Sequence, residues 1–146
     1  MVISETLRKW PPAIAADRVC NKSYLIGDKE GEGVKLYPGD VISIPIVGLH
    51  QDPDYFPNPD KFDPERFSPE NKDQIQPFTY LPFGVGPRNC IGSRFVLMET
   101  KAIIFHLLSK FTFEASPRSC IPISSDETGF TLKPEGGFWT NFKPRK

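Results

Sequence analysis

Between residues 51 and 82 the sequence places Pro53, Pro57, Pro59, Pro64, Pro69, Pro77 and Pro82, and no long helix or central strand can run through them. Proline lacks the backbone donor that helix and sheet ladders need, and it biases the residue before it away from the helical region. The segment therefore reads as an ordered coil with one or two helical turns. Sixteen prolines in 146 residues is about twice ordinary usage. Long irregular connections must therefore link whatever regular elements exist. Twelve phenylalanines supply the apolar area that separates such a coil from a disordered tail. The length suits one domain with a modest core.

Regular elements fit on either side of this coil. Residues 1–10, "MVISETLRKW", read as a short helix stopped by Pro11 and Pro12. Residues 11–50 read as a β region. It is extended from Ala13 to Ile26, then carries a charged loop at 27–33 and a turn at "YPGD" (37–40). The strand "VISIPIV" (41–47) follows the turn. From 91 to 110, apolar Ile91, Phe95, Met98, Ala102 and Phe105 recur at three and four, with Leu97, Ile104 and Leu108 widening the stripe. That spacing predicts the principal helix, largely buried. The tail at 128–142 reads as a hairpin turning at "PEGG".

Charge excludes some functions. Eighteen basic and eighteen acidic residues give a formal net charge of zero, so nothing favours capture of nucleic acid or an anionic membrane. Glu5, Arg8 and Lys9 followed by Pro11 and Pro12 are unlike a signal peptide, and the longest apolar runs are too short to span a bilayer. As written, the sequence reads as soluble or peripheral. Cys20, Cys90 and Cys120 are odd in number, far apart and form no C-x-x-C pair. With His50 and His106 at unrelated spacing, they do not suggest a zinc site. Three free thiols in a reducing compartment is the plain reading.

One of those thiols has unusual neighbours. In "YLPFGVGPRNCIGSRF" (80–95), Cys90 lies behind a run of glycine, proline and arginine and just ahead of the long helical pattern. A free cysteine is usually a small buried hydrophobe, and that reading stands for Cys90 taken alone. Its surroundings support a second one. A helix N-terminus favours a thiolate. Gly84, Gly86 and Gly92 remove side chains where a backbone can approach something flat, and Arg88 offers a permanent cation to an acidic group on it. No motif supplies a histidine base for a nucleophilic cysteine. A soft metal taking one protein thiolate, its other ligands coming from a planar cofactor with acidic edges, describes haem.

Phe83-x-x-Gly86-x-Arg88-x-Cys90-x-Gly92 resembles the haem-binding loop of the cytochrome P-450 haem-thiolate monooxygenases. Two more motifs occur in that family's order. "ETLR" gives Glu5-x-x-Arg8, similar to its E-x-x-R helix, and "FDPERF" gives Pro64-Glu65-Arg66-Phe67, similar to its P-E-R-F segment. The likeness runs from the first helix to the last hairpin and is greatest to the microsomal animal branch. It implies a mainly α fold with small β-sheets: E-x-x-R helix (1–10), β region (11–50), Pro-rich meander (51–82), haem-binding loop (83–92), long helix (91–110) and terminal hairpin (128–142). Cys90 becomes the iron ligand, with Phe83, Gly86, Arg88 and Gly92 around the haem and Arg18 as a second propionate contact. Bidentate arginine suits that role, although a surface arginine is the plainer reading of Arg18. Glu5, Arg8 and Arg66 become one buried structural network, because burying such charges unpaired costs several kcal/mol. Away from the resemblance, Glu5 and Arg8 read as an ordinary solvated pair. Ala13, Ile14, Ala15, Ala16 and Phe130 match substrate-contacting segments. His50 reads as a structural histidine, and no residue of this chain is expected to act on the substrate chemically.

The implied activity is insertion of one oxygen atom of O2 into a lipophilic small molecule. Electrons come from NADPH through a cytochrome reductase, which would meet Lys72, Arg94 and Lys101. The implied location is the cytoplasmic face of the endoplasmic reticulum membrane, held by an N-terminal anchor outside these residues. Family members are several times longer, so Met1 reads as an internal methionine and the 146 residues as inactive alone. The alternatives are a truncated, non-catalytic protein that associates with haem or is inert, and more distantly a redox thiol protein lacking a resolving cysteine.

Overall fold

The computed structural model describes residues 1–27, 33–121, 125–126, 133–134 and 136–145. The chain divides into two compact units, Met1–Pro82 and Phe83–Lys146. Few helices and small antiparallel two-stranded sheets make up the described residues, which is compatible with part of the implied fold class.

In the first unit, helix α1 (Val2–Lys9) ends at Trp10, whose backbone has left the helical region at φ −132°, ψ 68°, ahead of Pro11. The residues that α1 buries are both charged, Glu5 and Arg8. Strand β1 (Ala16–Val19) pairs antiparallel with a later strand spanning Val41–Ile44, in register from Ala16↔Ile44 to Val19↔Val41. Strands β2 (Tyr24–Ile26) and β3 (Val34–Leu36) form a second ladder. The turn at 37–40 closes with Asp40 N donating to Tyr37 O, and Gly39 sits at φ +98°, a region closed to most side chains. Strand β4 (Val41–Ile44) then stops early. The expected strand through Val47 is instead helix α2 (Ile46–Gln51). Pro45 explains the difference: it has no N–H for the ladder, yet its carbonyl accepts from Leu49 N at 3.0 Å and opens the helix. Ile46 and His50, four apart, face inward together and are buried.

The coil from 51 to 82 carries two 3-10 turns, Pro64–Phe67 and Lys72–Gln74. Asp63 caps the first, its carboxylate accepting from Glu65 N, with Pro64 where no donor is needed. Among the described residues the buried apolar side chains are Pro11, Ile46, Phe56 and Leu81, and the buried polar ones are Glu5, Arg8, His50, Ser68 and Thr79. The centre of this unit is therefore polar as much as hydrophobic.

In the second unit a 3-10 turn (Gly86–Arg88) precedes helix α3 (Ser93–Lys110), which has Gly92 at its N-cap and starts two residues after the expected Ile91. The expected burial of this helix is not met. No residue of α3 is buried; Phe95, Met98 and Phe105 are 62%, 63% and 69% exposed. Apolar spacing identifies the face that needs cover, and the covering elements are not among the described residues. After α3 comes β5 (Phe111–Ala115), then β6 (Ser125–Asp126) paired with β7 (Lys133–Pro134), and β8 (Thr140–Pro144). Among the described residues the final strand, β8, pairs with β5 rather than inside 128–142, Phe113 standing opposite Phe142 with ring centroids 4.9 Å apart. Alternation in sequence marks a strand without naming its partner. Residues 128–132 and 135 of the expected hairpin lie outside those described.

Candidate functional site

Glu5 and Arg8 lie three apart on α1 and are both fully buried. Arg8 Nε donates to Glu5 Oε2 at 2.8 Å and Nη2 to Oε1 at 2.9 Å, a two-pronged fork. The remaining guanidinium donors reach His50 O and Pro59 O, each at 2.7 Å. Glu5 Oε1 also accepts from Asp63 N at 2.9 Å. Arg66 Nε lies 3.7 Å from Glu5 Oε1, an ion pair with no hydrogen bond, while its Nη2 donates to Asn58 O. The structure thus brings Glu5, Arg8 and Arg66 together and ties α1 to the end of α2 and to the coil at 58–63. Ion pairing and hydrogen bonds together offset the desolvation of these charges.

The spacing of motifs does not reveal His50, which completes this centre. Its Nδ1 is 3.1 Å from Arg8 O, and Leu81 N donates to its Nε2 at 2.7 Å. A backbone N–H can only donate, so Nε2 is the acceptor and Nδ1 carries the hydrogen that goes to Arg8 O. The ring stacks on Tyr80 at 5.3 Å between centroids. Burial, helped by the Arg8 cation and opposed by the bond to Arg8 O, lowers the His50 pKa from 6.5 to about 4. Burial likewise raises Tyr80 to about 12, its hydroxyl donating to Ser4 O. The only sequence signal for His50 was its four-residue spacing from Ile46, which puts both on one helix face.

A pH dependence follows. The folded pKa lies below the unfolded one, so between about 6.5 and about 4 the unfolded chain binds a proton that the folded chain does not. Stability should decrease as the pH is lowered through that window, with no further loss from this group below it. Denaturant midpoints measured from pH 7 downward should show this slope, reduced in His50→Gln; an equal slope in both proteins would contradict it.

The thiol loop, in the second unit, closes on itself: Cys90 N donates to Phe83 O at 2.9 Å and Asn89 N to Gly86 O at 3.1 Å. Gly84 and Gly86 hold φ +69° and +79°, and a Cβ built on Gly86 would meet nothing within 4 Å. A Cβ on Gly92 would stand 4.0 Å from Cys90 Sγ. Cys90 is free and exposed, Arg88 is exposed, Phe83 is half-buried, and Ile91 is fully exposed. An accessible thiol, open space over glycine, bare apolar side chains and a nearby guanidinium fit a flat, largely apolar group carrying a soft metal and acidic edges. No group of three or more His, Cys, Asp or Glu able to hold a metal occurs among the described residues, so a metal at Cys90 needs ligands from elsewhere.

Arg18 lies in the first unit on β1, half-buried, with Nη1 donating to Asp17 O at 2.7 Å. Beside it Cys20, Lys22, Tyr24 and Ile42 line an open pocket of about 340 Å³. Ala13 is exposed; Ile14, Ala15 and Ala16 are half-buried, and Ile14 O accepts from Val47 N. Phe130 lies outside the described residues.

A glycine-bounded loop presenting one accessible thiol thus lies on a chain that also builds a buried Glu–Arg–Arg centre. The Cytochrome P450 family model matches residues 1–141, and the chain belongs to that family. It is 56% identical over 144 residues to "Probable cytochrome P450 9f2" of Drosophila melanogaster and 53% identical over 145 to "Cytochrome P450 9e2" of Blattella germanica. Those alignments cover 99% of this chain but 28% and 27% of the relatives. "Cytochrome P450 3A9" of Rattus norvegicus is 47% identical over 135 residues, 92% of this chain and 26% of that protein. The chain thus spans under a third of the length of these relatives.

Proposed function

We propose that this chain carries the thiolate side of a haem-thiolate monooxygenase acting on lipophilic small molecules, with electrons supplied from NADPH by a reductase. The observation that carries the reading is the exposed Cys90 thiol in its glycine-flanked loop, in a member of the cytochrome P450 family. Haem held by the Cys90 thiolate would supply oxygen-activating chemistry, the sulfur donating electron density to the metal.

The chain's own residues would hold that group. Cys90 supplies the sulfur, its backbone fixed by the Phe83 carbonyl. The space over Gly86 and the exposed Ile91 accept an apolar face. Arg88 and Arg18 are assigned to the propionates. Glu5, Arg8 and Arg66 serve folding and haem incorporation rather than chemistry. Ala13, Ile14, Ala15, Ala16 and Phe130 contribute pocket wall, and the exposed Lys72, Arg94 and Lys101 offer positive charge to a reductase. The endoplasmic reticulum membrane is the location assigned with this activity; no described helix here is long and apolar enough to cross a membrane.

The exposed apolar face of α3 favours a companion statement: residues 1–146 by themselves do not turn over substrate. The test gives haem, reductase and NADPH to a full-length parent carrying this sequence and to residues 1–146 alone. Oxygenated product from a lipophilic substrate is expected with the parent only. A haem-loaded parent without oxygenation contradicts the proposed activity, and turnover by the short chain contradicts the companion statement.

A further inference from the structure

We propose that His50 is a positioning residue for the thiolate loop: by accepting from Leu81 N and donating to Arg8 O, it fixes the segment leading into that loop against the buried Glu5–Arg8 pair. The inference rests on Cys90 as the iron ligand. Leu81 stands two residues before Phe83, where the loop opens. The geometry leaves the imidazole no freedom. Its two nitrogens are both used, one as donor and one as acceptor, and the side chain is 0% exposed. Arg8 closes the arrangement from the other side, since its guanidinium donates to the His50 carbonyl while its own carbonyl receives the His50 ring. One residue pair therefore locks α1 to α2, and the same ring carries the lock to Leu81.

A protonated imidazole would turn an N–H towards the Leu81 N–H, donor against donor, and release the segment. The other titratable groups at the ring are Arg8 and, across it, Glu5 on α1, with Tyr80 beside Leu81. Tyr80, at about 12, stays neutral, and His50 is the group whose protonation sets donor against donor at Leu81 N. The lowered basicity of the ring keeps the lock closed at neutral pH.

The experiment uses a haem-loaded, full-length parent carrying this sequence. It reads the fraction of the ferrous carbon monoxide complex that shows the thiolate band, at matched haem content, from about pH 7 down to about pH 4, where the ring takes up its proton. His50→Phe keeps an aromatic ring but leaves the Leu81 N–H buried without an acceptor. It is expected to lower the thiolate fraction roughly tenfold near neutral pH and to flatten its acid dependence. His50→Gln, whose amide oxygen can accept from Leu81, should recover most of it. A role in stability alone would not move the ligation state at matched haem content. If His50→Phe keeps the parental thiolate fraction and acid response while Cys90→Ser loses the band, the proposal is overturned alone. A band that survives Cys90→Ser overturns the underlying reading and the proposal with it. Should His50→Phe fail to fold, nitrogen-15 NMR of the unsubstituted parent decides. A hydrogen on Nδ1 with bare Nε2 at neutral pH supports the lock; hydrogen on Nε2, or a cationic ring, refutes it.

Discussion

Glu5→Ala is expected to cost about 3–5 kcal/mol of stability, because it leaves the fully buried Arg8 cation without its carboxylate. The loss reaches beyond one ion pair. Glu5 Oε1 also receives Asp63 N, so the residue that caps the Pro64–Phe67 turn loses a backbone anchor as well. Arg66 is the weaker member: its Nε sits 3.7 Å from Glu5 without a hydrogen bond, and the side chain is 14% exposed. Arg66→Ala should therefore do less damage than Glu5→Ala. Combining the two should add little, since the Arg66–Glu5 contact is already gone once Glu5 is removed. Urea unfolding of the two single variants and the double variant checks this. Simple additivity would mean that Arg66 and Glu5 act as separate sites.

How far this centre could be read from sequence depends on which residue is asked about. Glu5 and Arg8 are three apart on a helix, so their meeting needs only the helical period. Arg66 is some sixty positions away, and only its place in a recognised motif joins it to them. His50 had neither advantage. It is one histidine in "IVGLHQ", and the strand expected through Val47 would have put alternate residues on opposite faces. Pro45 decides the matter by ending the ladder and starting α2, which turns Ile46 and His50 inward together.

The second unit shows a different limit. The apolar stripe of α3 was readable as a stripe, but its burial was not, since cover is a property of the surrounding structure rather than of the period. Likewise Thr140–Pro144 reads as extended, yet its partner is Phe111–Ala115, a choice that long-range packing makes. The loop around Cys90 was more legible. Glycines at positive φ, a short turn and a thiol just ahead of a helix are local facts, and Gly84, Gly86 and Gly92 mark where side chains are missing.

Cys90→Ser carries the second large effect. Serine preserves the size and approximate shape of the side chain, so the Cys90 N to Phe83 O bond and the turn at Gly86–Arg88 need not change. What changes is the donor atom. A thiolate is a soft, easily polarised ligand suited to iron with a porphyrin, whereas a serine hydroxyl is a hard oxygen that stays protonated and binds weakly. The thiolate donation that Cys90 would supply to bound haem should then disappear, and oxygenation with it.

The most direct measurement is the absorption spectrum of the ferrous carbon monoxide complex of a full-length parent carrying this sequence, with Cys90 and with Cys90→Ser. With Cys90 the complex should show the red-shifted band that marks a thiolate opposite the carbon monoxide, and with serine that band should be absent. Its persistence in Cys90→Ser would mean that another residue ligates the iron, contradicting the assignment of this loop as the haem-thiolate site.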